Sequence, residues 1–259
     1  MKTLKIGNTG SEVEKLHNLL SMEYKFDEEI KKKVIEFQKA NSLIADGIVG
    51  YNTWQKLILK NYKSDNILLS LSDYKTVSEL LDIEIASLKA IQEVETGGRG
   101  GFFKEGYPSI LFEGHIFWRE LEKRGIDPEL HIKGNEDILY SKWTRKYYKG
   151  GLKEYERLEK AREINKEAAD SSASWGMFQI MGFNHQSCGV SSLEEFIKYM
   201  HKDEFSQLVL TSNFLHKTKL YKYLQTKEWD KFAKGYNGPA YKENRYDIKL
   251  EKAYTKHKG

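Results

Sequence analysis

Apolar residues recur at helical spacing along most of this chain, and only 3 prolines interrupt its 259 residues. Trp229, Phe232, Ala233 and Tyr236 fall at i, i+3, i+4 and i+7, which is one face of a helix. Val13, Leu16, Leu19 and Leu20 make a similar stripe near the start, and Phe205, Leu208, Val209 and Leu215 make another late in the chain. Proline removes a backbone donor and clashes inside a helix, so its scarcity leaves these stripes intact. The fold class expected is mainly α. Hydrophobic residues make up 39% of the chain, and 16 Tyr, 12 Phe and 5 Trp supply ample bulk for a core.

The pattern divides the chain in two. Residues 1–60 read as a small three-helix unit. Ser11 with Glu14 has the form of a capping box opening the first helix. Ile30, Val34, Ile35 and Phe37 mark the second. Asp46-Gly47 reads as a turn, and a short helix follows through Thr53, Trp54 and Leu57. The polar stretch from Lys60 to Asn66 reads as a connector. A second helical pattern starts near Ser72 and Asp73, and residues 72–259 read as one larger unit.

Bulk chemistry excludes several classes. Lysine and arginine number 42 against 38 acidic residues, a net charge of +4. That suits weak attraction to an anionic surface and gives no indication of nucleic-acid binding. The N-terminal residues lack an apolar targeting region, and no run approaches a membrane span. Accumulation in the cytoplasm without membrane insertion is expected. One cysteine, Cys188, excludes an intrachain disulfide framework. Cys188 follows His185 in a Gly/Ser-rich loop without a nucleophile context, so a buried thiol is expected. The histidines lack His-Glu-x-x-His spacing, and no metal or other cofactor is expected.

Glu95 is the candidate for the chemistry, the alternative being a surface Glu whose stem covers apolar residues while its head reaches solvent at the helix end. Glu95 lies at the apparent end of a helix, with Leu88 and Ile91 on its face and Ile85, Ala90 and Val94 flanking them. Glu93 points away. A carboxyl on an apolar face resists ionisation, and the negative end of a helix dipole adds to that. Both effects favour a proton-holding acid near neutral pH. The glycine-rich loop Gly97-Gly98-Arg99-Gly100-Gly101 follows, without the Gly-Lys-Ser/Thr ending of a phosphate loop. Ile110-Leu111-Phe112 then reads as a short extended segment delivering Glu113, a candidate second carboxylate across the same cleft. Structural hydrogen bonding by Glu113 and His115 is the equally weighted alternative. Trp143, Tyr147, Tyr148 and Tyr155 are read as core. A charged helix is expected from about Leu152 to Ala169. Gln179 stands as a polar group in an apolar stretch, so it must bond to backbone or to a ligand.

Two sets of motifs carry family resemblances. Leu4-x-x-Gly7-x-x-Gly10-x-x-Val13-x-x-Leu16, Phe37-Gln38 and Asp46-Gly47-Ile48-Val49-Gly50-x-x-Thr53-Trp54-x-x-Leu57 resemble the three-helix peptidoglycan-binding domain found beside cell-wall hydrolases. The stretch from Met22 to Asp27 is shortened relative to that pattern. Glu95-Thr96 before glycine, Ser174-Trp175-Gly176-Met177-Phe178-Gln179-Ile180-Met181 and Tyr236-Asn237-Gly238 resemble segments of goose-type lysozymes and lytic transglycosylases, in their order. Ile110-Leu111-Phe112-Glu113-x-His115-x-Phe117, Tyr236-Asn237-Gly238-Pro239-Ala240-Tyr241 and Tyr246-Asp247 extend the likeness to the N-acetylmuramidase domain of phage endolysins, over roughly residues 72 to 255.

The resemblance implies a helical, lysozyme-like domain that cuts the β-1,4 bond from N-acetylmuramic acid to N-acetylglucosamine. It implies Glu95 as general acid and Gln179, Tyr236 and Asn237, with Ser174 of the same motif, as substrate-binding or orienting residues. Glu113 is the candidate second carboxylate; Asp170 is a further one, with capping of the helix near Ser172 as its alternative reading. The partner implied is bacterial peptidoglycan, acted on by a monomer released to the wall by a separate pore protein. Lytic transglycosylation and a non-catalytic wall-binding role are the alternatives.

Overall fold

The computed structural model describes residues 1–21, 26–64 and 66–259. Most of the shortened Met22 to Asp27 stretch, and Asp65 of the connector, therefore lie outside the described residues. The first unit contains α1 (Ser11–Leu20), α2 (Glu28–Ala40) and α3 (Tyr51–Asn61). Gly10, not Ser11, is the N-cap of α1, with no side-chain bond. Ser11 is already helical, so the expected capping box does not form. Asp27 caps α2 by accepting from the backbone N–H of Glu29 and Ile30. Val13, Leu16, Ile30, Val34, Trp54 and Leu57 are buried. The Gln38 amide fixes the Asp46-Gly47 turn. Its Oε1 accepts from Gly47 N at 2.9 Å, and its Nε2 donates to Asp46 Oδ1 at 3.1 Å. An isolated bridge pairs Leu4 with Val49.

A true capping box, Ser70 with Asp73, opens α4 (Leu71–Leu81). Next come α5 (Ile85–Thr96), a hairpin of β1 (Phe102–Lys104) and β2 (Tyr107–Pro108), then β3 (Ile110–Phe112) and α6 (Gly114–Glu122). The long charged helix α7 (Lys153–Ser171) is kinked at Asn165, whose side chain accepts from Ala168 N at 2.8 Å. The strands β4 (Ala173–Trp175) and β5 (Ile180–Met181) complete an antiparallel sheet ordered β3-β4-β5, with Ile110 opposite Trp175 and Ser174 opposite Met181. The remaining helices are α8 (Leu193–Lys202), α9 (Glu204–Lys217), α10 (Tyr221–Thr226), α11 (Trp229–Asn237) and α12 (Tyr246–Lys258).

The molecule is mainly α, a three-helix unit followed by a helical domain with one small sheet. The helix α9 is buried along almost its whole length and forms the centre of the larger domain. α12 packs against α5. Glu93, on the outer side of α5, pairs with Lys256 and His257 of α12 at 2.9 and 2.8 Å. α3 is buried on several sides because α9 packs against it, so the apolar core runs on from one unit into the other. Among the described residues no helix is long and apolar enough to cross a membrane.

Candidate active site

Leu88, Ala90 and Ile91 bury the inner face of α5 and carry Glu95 into the molecule at the helix's last turn. Glu95 keeps partial exposure on one side, where it lines an open cleft of about 550 Å³. Burial raises its carboxyl from 4.5 to about 7, while a hydrogen bond donated by the Tyr246 hydroxyl to Oε1 opposes the rise. Tyr246 is the first residue of α12. Its ring lies 6.5 Å from that of Tyr236, nearly parallel, and Tyr236 stacks on Phe232 at 5.3 Å. Tyr236 donates to the Phe178 carbonyl at 2.8 Å. Burial, with the charge of Glu95 next, pushes both phenols above their ordinary value, so they stay protonated donors.

Arg99 and Phe102 from the glycine-rich loop and hairpin, Ser109, and Met177 and Gln179 from the β4–β5 turn share the cleft with Glu95. Gln179 occupies a left-handed conformation, with φ 48°. Its Oε1 accepts from Ser174 Oγ at 2.7 Å, and its Nε2 donates to the carbonyls of Gly176 and Ser109 at 2.9 and 3.3 Å. The backbone and Ser174 therefore satisfy this amide, which pins the turn while forming part of the cleft wall. Ser174 is buried behind it.

Two polar side chains of α9 hold both rims of the cleft. Glu204 accepts from Gly101 N at 2.7 Å and from Leu69 N at 3.0 Å. Gln207 accepts from Met177 N at 2.7 Å and donates to the carbonyls of Met200 and Gly101 at 2.8 and 3.4 Å. A Cβ on Gly101 would sit 2.2 Å from Gln207 Oε1, so the close approach of loop and helix requires glycine there. A buried ion pair supports the far side. Arg157 Nη1 lies 2.7 Å from Glu154 Oε2, and both side chains are fully buried. Glu154 also accepts from the backbone of Lys149, Gly150 and Phe112. Gly150 and Gly151 line the cleft, and Phe112 immediately precedes Glu113.

The other sequence candidates lie elsewhere. Glu113 is the N-cap of α6 and is not among the residues lining the cleft. Both its oxygens accept from the Tyr148 hydroxyl at 2.7 Å, and His115 Nδ1 lies 3.3 Å away. Burial raises its carboxyl, and Tyr148 and Arg157 oppose that. Asn237 is exposed at the end of α11, near Tyr236 but outside the cleft lining. Of Ala240 in the same motif nothing is described beyond its backbone. Asp170 is neither a cap nor a cleft residue. It is buried in the last turn of α7, where Arg162 Nη2 and Nε reach its Oδ1 at 2.5 and 2.6 Å. Trp143 is 58% exposed with the Arg145 guanidinium 5.5 Å from its ring, so it is not core. Cys188 is fully buried, and burial pushes its thiol well above the ordinary range.

Residues 84–258 match the family model of N-acetylmuramidase. The chain belongs to the N-acetylmuramidase family. Residues 10–57 match a peptidoglycan binding domain. The crystal structure of Burkholderia AP3 phage endolysin is similar at 34% identity, over 99% of this chain and 99% of that one, with a TM-score of 0.67. No curated protein matches. This muramidase is thus a peptidoglycan hydrolase joined to its own peptidoglycan-binding domain. The sequence motifs leave unmarked the parts that organise the cleft: Tyr246 as the direct partner of Glu95, and Glu204 and Gln207 beneath the rims. Glu204 and Gln207 stand at i and i+3 in the first turn of α9 beside Phe205 and Leu208, and both are buried.

Proposed function

We propose that this muramidase is an endolysin that cleaves the β-1,4 bond between N-acetylmuramic acid and N-acetylglucosamine, with Glu95 as the general acid. One observation carries the reading: a carboxyl raised to about 7 opens onto a cleft between two glycine-bearing rims. Glycoside cleavage needs a proton on the departing oxygen as positive charge develops on the sugar ring. Below pH 7 Glu95 holds that proton. Once it is given up, the Tyr246 phenol stabilises the carboxylate left behind. Tyr236 packs behind Tyr246 and orients it. Gln179 and Ser174 shape the wall against which the sugar lies, and Asn237 meets the glycan at the outer edge. Glu113 has the weakest support as a second carboxylate, because the Tyr148 hydroxyl occupies both its oxygens. The enzyme acts as a monomer, accumulates in the host cytoplasm and reaches the wall through a separate pore protein.

Glu95→Gln tests the acid. Loss of about 10²–10⁴-fold in lytic rate, with wall binding retained, is the expected result. Unchanged lysis would remove Glu95 from the mechanism and leave a wall-binding role. Glu113→Gln is expected to keep activity within about tenfold, and a loss as deep as that of Glu95→Gln would return Glu113 to the chemistry. Mass spectrometry of the digested wall should find reducing ends. Anhydro-muramic ends would mean lytic transglycosylation, in which the 6-hydroxyl of muramic acid replaces water.

A further inference from the structure

Another cleft, of about 440 Å³ and lined mainly by residues with polar side chains, lies on the seam where α3 meets α9. It shares Leu43, Asn52 and His216 with a neighbouring hollow of about 230 Å³ on the wall-binding unit. Neither touches the Glu95 cleft. α3 contributes Gln55 and Lys56 to the seam, only 2% and 6% exposed, and α9 contributes Asn213, 7% exposed. The Gln55 Nε2 is buried with no hydrogen-bond partner among the described residues. Gly189, at φ +78°, lets the backbone pass close to both amides, because a Cβ there would lie 2.3 Å from Asn213 Nδ2 and 3.2 Å from Gln55 Oε1.

The charged side chains lining the larger cleft are all lysines, and the carboxylate Asp46 lies on the adjoining hollow. Lys56 Nζ lies 3.2 Å from Glu195. Lys217 reaches only the Gln186 carbonyl, at 3.1 Å, and Lys217 and Lys219 have no carboxylate partner among the described residues. The aromatic rings here are already engaged with one another. Tyr51 and His216 stack at 3.5 Å and 5°, and His216 and Tyr221 at 5.2 Å and 18°. Those ring faces are therefore not available as a platform for a sugar. The seam offers amide and ammonium donors instead, with exposed Ile44 and Ile48 on the adjoining hollow. Carboxylates fit the donors, and small methyl side chains fit the isoleucine rim.

We propose that this seam is a second binding site that takes the carboxylate- and alanine-bearing stem peptide which peptidoglycan carries on muramic acid. The inference rests on the wall-degrading reading above, and it makes the two units one composite reader of the wall rather than a binder and a cutter side by side. The test uses the full chain carrying Glu95→Gln, titrated with synthetic L-alanyl-γ-D-glutamyl-L-lysyl-D-alanine and, separately, with an N-acetylglucosamine tetramer. The peptide is expected to shift the amide signals of Asn213 and Gln55, and the tetramer to leave them in place. Adding Lys217→Glu, an exposed change that spares the fold, should weaken peptide binding at least fivefold, and Gln55→Leu should do the same. Absence of peptide binding, equal affinity in the Lys217→Glu chain, or displacement of the peptide by the tetramer would each overturn the proposal. Release of reducing ends by the parent chain, scored separately, reports on the Glu95 assignment alone.

Discussion

Glu95 ties catalysis to folding through one proton. Its ordinary value is 4.5, and burial raises it to about 7 in the folded chain. Between those values the unfolded chain ionises while the folded chain stays neutral. The stability held below pH 4.5 is therefore lost progressively as pH rises to about 7, and stays lost above it. The full effect is on the order of 3 kcal/mol. Glu95→Gln cannot ionise, so thermal denaturation should show it matching the parent at pH 4 and gaining on it up to pH 7. A constant difference across that range would contradict the burial argument. Activity has the same origin: kcat/KM should fall as pH passes about 7, because the acid loses its proton. Tyr246→Phe removes a donor that favours the ionised form, so the alkaline limb of that profile should move to higher pH, with a fall in kcat of roughly tenfold from lost orientation. An unmoved limb would mean that the phenol does not sense the carboxyl.

Among the elements, α9 and α7 set the shape of the cleft without supplying its acid. Arg157→Met leaves Glu154 charged and buried, which should cost about 3–5 kcal/mol in denaturant unfolding. Replacing both members of the pair by apolar residues should cost less, because no lone charge remains. Gly101→Val should depress both stability and activity, since its side chain would displace the Gln207 amide from both rims. Elements were legible in the sequence where periodicity or a turn signal was strong. The stripe ending at Tyr236, the Asp46-Gly47 turn and the Ile110–Phe112 strand formed where their patterns place them. The start of α1 was not, because glycine served as N-cap where serine was available. Glu95's surroundings were legible from its own helix, but its partner was not: Tyr246 reaches it from an element 151 residues later, and local periodicity carries no record of that contact. Trp143 misled for the same reason, since an aromatic residue in a loop reads alike whether its ring is covered or bare.

At the scale of the whole molecule, α3 belongs to both units. Its buried faces join a core that continues into α9, and Lys56 and Tyr51 reach across to Glu195 and Ser212. Calorimetry should therefore record one cooperative transition, with van't Hoff and calorimetric enthalpies equal. Tyr51→Ala should begin to separate it into two, and two transitions in the parent chain would show that the seam is weak. The docking of α12 onto α5 has a further consequence for synthesis. The nascent polypeptide displays its acid long before the phenol that steadies it has been translated. A ribosome-bound or prematurely terminated product is thus a blunt tool, and the capacity to cut arrives only when the Tyr246 helix has emerged and found its place.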